Sequence, residues 1–220
     1  MTRYVQVVPA ILTDDPKALE VMVRQSEKFT DYVQIDIMDG KFVPSRSITC
    51  KHLLNLSIGF KWEAHLMVEK PENCLKDYRK AGAQRIVFHF EATSSPIEVI
   101  SRVKDLGMSA GLAINPETPV SAILPLVQEV DSILFLTVHP GFYGSQFIPE
   151  VMNKVAELRN TVPDIDIGVD GGVKESNIAY IAGFEVNYIF VGSAIFMQPQ
   201  PDQSFQHLVS LAQEGLLQQD

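Results

Sequence analysis

One stretch decides the fold of this chain: residues 33–44, which read VQIDIMDGKFVP. Gln34, Asp36 and Met38 alternate here with β-branched residues, the period of two that is typical of a strand, and the pattern stops at Asp39-Gly40. A carboxylate on the inward face of a strand is costly unless a partner compensates it. The stretch therefore predicts a strand that presents a hydrogen-bonded or functional acid at its carboxyl end.

The same pattern of a strand followed by a helix recurs eight times. Proline pairs, namely Asp15-Pro16, Pro71-Glu72, Ser95-Pro96 and Pro149-Glu150, predict helix starts, and the helix after Ser95-Pro96 is expected to face Ile97, Ile100 and Val103 inward. The predicted strands cover residues 4–8, 32–38, 62–68, 85–90, 108–114, 132–138, 165–169 and 186–191. Nearly continuous apolar strands with helical crossovers favour a parallel sheet. Eight such units in 220 residues predict an α/β fold, a (β/α)₈ TIM barrel that forms a single domain over 1–220.

The composition and charge of the chain exclude some classes of binding partner. The 220-residue chain is 46% hydrophobic and 20% charged, with a formal net charge of −9, which argues against nucleic acid or an anionic membrane as the main partner. No apolar run approaches the roughly 18 residues of a membrane span. No signal peptide is visible, and Cys50 and Cys74 lie far apart, so we expect free thiols and a cytoplasmic protein.

Chemistry-bearing residues stand where the predicted strands end. In a TIM barrel the carboxyl ends of the strands carry the active site. The residues at these ends are Asp36, His65, His89, Asn115, His139, Asp170 and Gly192-Ser193. Asp36, His65 and Asp170 are of the types that bind a divalent metal ion, and Gln34 points to the same side as Asp36.

Glycine pairs follow the seventh and eighth strands, where TIM barrels bind phosphate through backbone N–H groups. These pairs are Gly171-Gly172 and Gly192-Ser193, and Gly141 and Gly144 in the preceding loop offer further donors. We therefore expect a phosphate site at this end of the barrel.

Several segments together resemble the ribulose-phosphate 3-epimerase family, nearly from end to end. They are residues 9–12 (PAIL), 36–44 (DIMDGKFVP), 65–68 (HLMV), 111–119 (GLAINPETP), 140–142 (PGF), 169–173 (VDGGV) and 192–196 (GSAIF). The resemblance implies proton transfer at C3 of a ketose 5-phosphate, with Asp36 and Asp170 as catalytic acids on opposite faces of C3. It also implies a divalent metal ion (Zn, Mn, Mg or Fe) held by Asp36, His65 and Asp170, and methionines, Met38 and Met67, that cap the planar intermediate.

The resemblance further predicts the residues that contact the phosphosugar. These are His65, Gly141, Phe142, Tyr143, Gly144, Gly171, Gly172, Gly192 and Ser193.

The chain also departs from the family pattern. Gln34 stands where the family has a histidine ligand, so we expect weak, exchangeable metal binding with Gln34 as a candidate fourth ligand. Ala10 replaces a family serine, Leu136 a third capping methionine, and Tyr143 a glycine.

These observations leave several interpretations. The first is an epimerase that interconverts ribulose 5-phosphate and xylulose 5-phosphate, and a ketohexose 6-phosphate is an alternative substrate because Ala10 and Arg46 reshape the sugar end. The second is a non-catalytic paralogue that binds a phosphosugar, favoured by Gln34, Ala10 and Leu136. A decarboxylase or aldolase is disfavoured, because no strand end carries a lysine. Homo-oligomerisation is left open.

Overall fold

Eight parallel strands close into a barrel in the order of the chain, with the eighth strand paired to the first. The computed structural model describes residues 4–141 and 145–217. The strands are β1 Gln6–Ile11, β2 Tyr32–Met38, β3 Lys61–Met67, β4 Arg85–His89, β5 Ser109–Ile114, β6 Ser132–Leu136, β7 Asp166–Asp170 and β8 Tyr188–Val191. The predicted TIM barrel is thus confirmed.

Helices cover the outside of the barrel. They are α1 Pro16–Ser26, α2 Cys50–Leu54, α3 Leu75–Lys80, α4 Pro96–Asp105, α5 Val120–Ile123, α6 Val151–Thr161, α7 Glu175–Ala182, α8 Ser193–Phe196 and α9 Pro201–Leu217. The predicted start at Asp15-Pro16 is confirmed: Pro16 is the first residue of α1, and Asp15 Oδ1 accepts from the Lys17 N–H at 2.9 Å. No helix among the described residues has the length and apolar character needed to cross a membrane.

The barrel interior is stacked in layers, because alternate residues of each strand point inward. A polar layer at the amino ends of the strands contains Tyr32, Glu63, Arg85 and Tyr188. Above it lies an apolar layer, whose buried members include Val8, Val87, Leu134 and Phe190. The polar residues at the carboxyl ends of the strands therefore lie above a close-packed apolar layer.

The sheet and helices enclose a second, larger apolar core. Its biggest fully buried side chains include Trp62, Phe88 and Phe135. Close helix packing at one point depends on a glycine: a Cβ on Gly215 of α9 would overlap the Ala179 carbonyl oxygen of α7. This packing holds α9 against α7, the helix between β7 and β8.

The structure corrects several element boundaries. The first strand does not span residues 4–8 and end before Pro9, but runs from Gln6 to Ile11, with Pro9 opposite Val191. Proline is tolerated there because it loses only the one ladder hydrogen bond that its N–H would donate. The helix expected from Pro71 is divided into a 3₁₀ turn, Pro71–Asn73, and α3.

Two further expectations are wrong in detail. Ile97 does not face inward but is exposed, because Val99, Ile100 and Val103 form the buried face of α4 and Ile97 falls outside that arc. The sixth strand ends at Leu136 rather than at Val138, so the residues after it belong to the loop.

Candidate active site

A cavity of about 100 Å³ opens at the carboxyl ends of the strands. Residues that line it are Ala10, Leu12, Asp36, Met38, His65, Met67, Leu136, Gly141, Asp170, Gly171, Gly172, Lys174, Gly192 and Ser193, among others. Most of the residues predicted for the site therefore meet in one place, as expected from the strand ends of a TIM barrel.

Two acids and one histidine form the chemical centre of the cavity. Asp36 lies on β2 and Asp170 ends β7, and we refer to these two side chains as the acid pair. His65 of β3 is fully buried, with Nδ1 2.9 Å from Asp36 Oδ1 and 3.4 Å from Asp170 Oδ2. A buried imidazole thus contacts both carboxylates through one nitrogen.

Burial and mutual contact set the protonation of these groups. Burial and the nearby Asp170 charge raise the pKa of Asp36 to about 6, although His65 and Gln34 oppose this. Burial alone would lower the pKa of His65, but hydrogen bonds and charge from Asp170 and Asp36 outweigh it and raise this pKa to about 10. Without a bound cation, His65 is therefore an imidazolium that compensates the acid pair near neutral pH.

Gln34 lies between the two acids. Its Nε2 donates to Asp36 Oδ1 at 2.9 Å and to Asp170 Oδ2 at 2.7 Å. Its Oε1 is buried and has no hydrogen-bond partner in the described part of the chain. The atom that faces the acid pair is thus a donor, which cannot ligate a metal, and a half-turn of the amide would bring Oε1 there instead.

The side chains present fit a divalent metal ion. Asp36, His65 and Asp170 offer ligand atoms that all lie within 4.8 Å of one another. Two carboxylate oxygens and an imidazole nitrogen suit Mn²⁺, Fe²⁺, Zn²⁺ and Mg²⁺ to different degrees. A half-turn of the Gln34 amide would add its orphaned Oε1 to this cluster as a further oxygen.

His89 extends the cluster away from the cavity. It is fully buried at the end of β4, and its Nε2 lies 3.0 Å from Nε2 of His65. Burial lowers the pKa of His89 to about 4, and Glu91 and Asn115 oppose this only in part. The sequence places His89 and Asn115 at strand ends but assigns them no role.

The glycine pair after β7, together with Gly141, has the backbone that a close approach requires. Gly171 and Gly172 have φ of +114° and +66°, and Gly141 has +110°, a region that favours glycine. A Cβ on Gly172 would lie 2.7 Å from the Phe147 backbone nitrogen. Phe142, Tyr143 and Gly144 lie outside the described residues.

Apolar side chains cover one side of the cavity. Met38 and Met67 are almost fully buried and pack with Val43.

Lys174 also lines the cavity, four residues after Asp170. The sequence did not point to it, because it follows the glycine pair rather than a strand end.

His139 is not part of the site. Its side chain is 70% exposed and its Nδ1 pairs with Glu117 Oε1 at 2.8 Å. Because β6 already ends at Leu136, the chain has turned outward by this residue.

Comparison with known proteins identifies the family. A model described as the ribulose-phosphate 3-epimerase family matches residues 6–196. The chain belongs to the ribulose-phosphate 3-epimerase family. The resemblance drawn from the sequence is thus confirmed, as is the expectation of an isomerase-class enzyme.

Relatives match the chain over most of its length. Ribulose-phosphate 3-epimerase of Schizosaccharomyces pombe is 36% identical over 204 residues, covering 90% of both chains. The protein of the same name in Escherichia coli is 37% identical over 207 residues, covering 90% of this chain and 92% of its own. A protein of Oryza sativa named ribulose-phosphate 3-epimerase, cytoplasmic isoform, is 36% identical over 203 residues, covering 89% of each chain.

Solved structures of low identity share the fold. KGPDC from Streptococcus mutans has a TM-score of 0.75 at 12% identity, with 96% of this chain and 98% of that chain covered. 3-Hexulose-6-phosphate synthase from Salmonella typhimurium has a TM-score of 0.69 at 17% identity, covering 98% and 100%. Both support the TIM-barrel fold.

Proposed function

We propose that this chain inverts C3 of a phosphorylated ketose, with ribulose 5-phosphate and xylulose 5-phosphate as the first substrate pair. The observation that carries the proposal is the acid pair: two carboxylates from strands on different sides of the barrel face one cavity. Family membership supports the same reaction. A phosphosugar is thus the expected small-molecule partner.

Asp36 and Asp170 have the roles of acid and base. One carboxylate removes the C3 proton, the C3–H electron pair enters an enediolate, and the other acid delivers its proton to the opposite face of C3. The pKa of Asp36, raised to about 6 by burial and by Asp170, makes it able to hold and release a proton near neutral pH. After each turnover the two acids have exchanged protonation states, so the site is ready for the reverse reaction.

Asp36, His65 and Asp170 would hold the divalent metal ion. When bound, such an ion supplies positive charge that polarises the C2 carbonyl and stabilises the enediolate. Its identity is open, and we expect weak, exchangeable binding because Gln34 presents an amide where a family histidine would stand.

The remaining predicted residues bind and cover the substrate. Backbone N–H groups of Gly171-Gly172 and Gly192-Ser193 are proposed to hold the phosphate, with the loop from Gly141 to Gly144 adding donors. Met38 and Met67 are proposed to lie on the planar enediolate and exclude water, as their burial at the cavity wall allows.

Exchange of the C3 proton with solvent deuterium tests the proposal. The parent chain should exchange and epimerise ribulose 5-phosphate, whereas Asp36→Asn and Asp170→Asn should each abolish turnover and keep phosphosugar binding within about tenfold. Most of the parent's turnover in either variant would refute the two-acid assignment.

The same assay separates the alternatives. Binding of a phosphosugar without C3 exchange in the parent would identify a non-catalytic paralogue. Faster exchange on a ketohexose 6-phosphate would identify the longer substrate, for which the small Ala10 side chain leaves room at the cavity wall. We further propose a cytoplasmic location. Whether copies of the chain associate is a separate question, which light scattering of the purified protein would answer.

A further inference from the structure

A chain of polar contacts runs from the acid pair, through two histidines, to a glutamate at the barrel rim. His65 Nδ1 faces the acid pair and its Nε2 lies 3.0 Å from His89 Nε2. His89 Nδ1 in turn lies 3.5 Å from Glu91 Oε2, slightly beyond hydrogen-bond length. Two imidazoles whose Nε2 atoms face each other share one proton between them, so one nitrogen must donate and the other accept.

The surroundings of His89 Nδ1 decide which nitrogen donates. Glu91 Oε2 lies nearest to it, and the buried Asn115 side chain lies beside His89; neither His89 Nδ1 nor Asn115 Oδ1 has a hydrogen-bond partner within the described ranges. Only a protonated Nδ1 is attracted to such oxygens. A neutral His89 therefore carries its proton on Nδ1 and offers the lone pair of Nε2 to His65.

Glu91 is held in place by its other oxygen. Its Oε1 accepts from the Asn115 backbone N–H at 2.9 Å and from the Thr118 hydroxyl. Lys154 Nζ donates to the carbonyls of Pro116 and Thr118 and so braces the same loop. Oε2 of Glu91 is thus left to face His89.

We infer that Glu91, acting through His89, keeps a proton on Nε2 of His65 and so aims the Nδ1 lone pair of the neutral His65 ring at the acid pair. Nδ1 is the atom that Asp36 and Asp170 surround, so it is the atom available to a metal ion. His89 and Glu91 are positioning residues, since they act through His65 and do not reach the cavity lining. The inference rests on the proposed function only in taking this cluster as the working site.

The Phe42 ring supports this arrangement. Its centroid lies 4.9 Å from that of His89, and the His65 and His89 rings are nearly parallel with centroids 5.2 Å apart. Packing on one side and a parallel ring on the other hold His89 in one orientation.

Nuclear magnetic resonance of the ¹⁵N-histidine-labelled chain tests the inference directly. A neutral imidazole gives separate signals for its protonated and bare nitrogens, so the proton of His89 can be located in the parent protein. We expect it on Nδ1. A proton on Nε2 of His89 would overturn the inference, and this measurement needs neither a variant nor a substrate.

Glu91→Gln should reverse the direction of hydrogen-bond donation between residue 91, His89 and His65. The amide oxygen can keep the contacts with Asn115 and Thr118, which turns the NH₂ group toward His89 Nδ1 and moves the His89 proton to Nε2. The affinity for Zn²⁺, titrated against a chelating dye, should then fall about 10–100-fold. Glu91→Asp, which keeps the carboxylate, should restore the Nδ1 proton.

Glu117→Gln is the matched control, because Glu117 also pairs with a histidine on this side of the barrel but both side chains are exposed. It should change neither the His89 signals nor Zn²⁺ affinity. An unchanged Glu91→Gln variant, or an equal loss in Glu117→Gln, would contradict the inference. Neither readout uses a sugar, so a failure of epimerisation and a failure of this inference are distinguishable.

Discussion

At the scale of single residues, Gln34 is the side chain that joins the two members of the acid pair. Its Nε2 satisfies one oxygen of each member of the acid pair, and its Oε1 is buried without a partner among the described residues. A buried acceptor without a hydrogen bond costs about 1–3 kcal/mol. The amide therefore suits the acid pair without a metal, and its unsatisfied oxygen gains a partner when the amide turns toward an ion.

Gln34→His should tighten Zn²⁺ binding by about 10–100-fold and increase turnover, because an imidazole is the better ligand for this ion. Metal analysis of the purified protein before and after chelation, with C3 exchange on the same samples, measures both effects. Gln34→Met fills a similar volume without a donor or a strong ligand and should improve neither. A tightly held stoichiometric metal in the parent that the His variant does not change would show that Gln34 is not a ligand.

His65 makes the stability of the metal-free chain depend on pH. Its pKa of about 10 in the fold exceeds the ordinary 6.5, so the folded state binds this proton more tightly than the unfolded state. The stability gained is complete below about pH 6.5 and is lost as the pH rises toward 10. With chelator present, the free energy of unfolding should fall by on the order of 1 kcal/mol per pH unit between pH 7 and 9.

Denaturant titrations at pH 7, 8 and 9 measure this dependence. His65→Asn removes the titrating group, so its unfolding free energy should change less over the same interval even though the variant starts lower. Equal slopes for parent and variant would show that His65 is not an imidazolium in the metal-free fold.

At the scale of elements, the turn after β7 is the proposed phosphate site. Gly171 and Gly172 adopt positive φ, and Asn177 Nδ2 fixes the turn by donating to the Gly172 carbonyl at 3.0 Å. Gly172→Ala should weaken binding of the phosphosugar about tenfold, because the added Cβ meets the Phe147 backbone and displaces the N–H donors. The KM for the phosphosugar measures this loss.

Gly107→Ala is the control for backbone strain. Gly107 has φ of +73°, close to that of Gly172, yet an added Cβ there meets nothing within 4 Å. Both variants should lose about 1–2 kcal/mol of stability from the left-handed backbone. Only Gly172→Ala should lose affinity, and equal activity of the parent on the unphosphorylated sugar would refute the phosphate site.

The strands and their order can be predicted because apolar periodicity and length constrain them strongly. The predicted bounds of β2 are those observed, since its alternation is regular and it ends at Asp39-Gly40. The end of β6 cannot be predicted, because Thr137 and Val138 continue a buried, β-branched run although regular pairing with β7 ends at Leu136. His139 falls among the predicted strand ends for that reason.

The site is predictable as a set of residues but not as a set of contacts. Strand ends bring Asp36, His65 and Asp170 together, and the structure places them in one cluster. The spacing of residues along a strand indicates which face of the sheet a side chain is on, but not which of its atoms points at its neighbours. The sequence does not specify side-chain rotamers or the backbone contacts of the loops. These decide which atom of Gln34 faces the acids and how His89 lies between His65 and Glu91.

At the scale of the whole molecule, the barrel carries two polar layers separated by an apolar one. In the lower layer Glu63 is fully buried, its Oε2 accepts from the Tyr32 hydroxyl at 2.6 Å, and Arg85 Nη1 lies 3.5 Å away. Burial raises the pKa of Glu63, while Arg85 and Tyr32 oppose the rise. In a TIM barrel the end of the strands opposite the active site serves stability.

Glu63→Ala should therefore lower the free energy of unfolding by about 3–5 kcal/mol, because it leaves the Arg85 charge and the Tyr32 hydroxyl without their buried partner. Glu175→Ala is the control: Glu175 lies 3.8 Å from His207 in an exposed pair, and its loss should cost at most about 0.5 kcal/mol. Urea titration gives both values. Turnover per folded molecule should stay near the parent's in Glu63→Ala, since the apolar layer of Val8, Val87, Leu134 and Phe190 separates this residue from the acid pair. A loss of turnover as large as in Asp36→Asn would mean that the two polar layers act together.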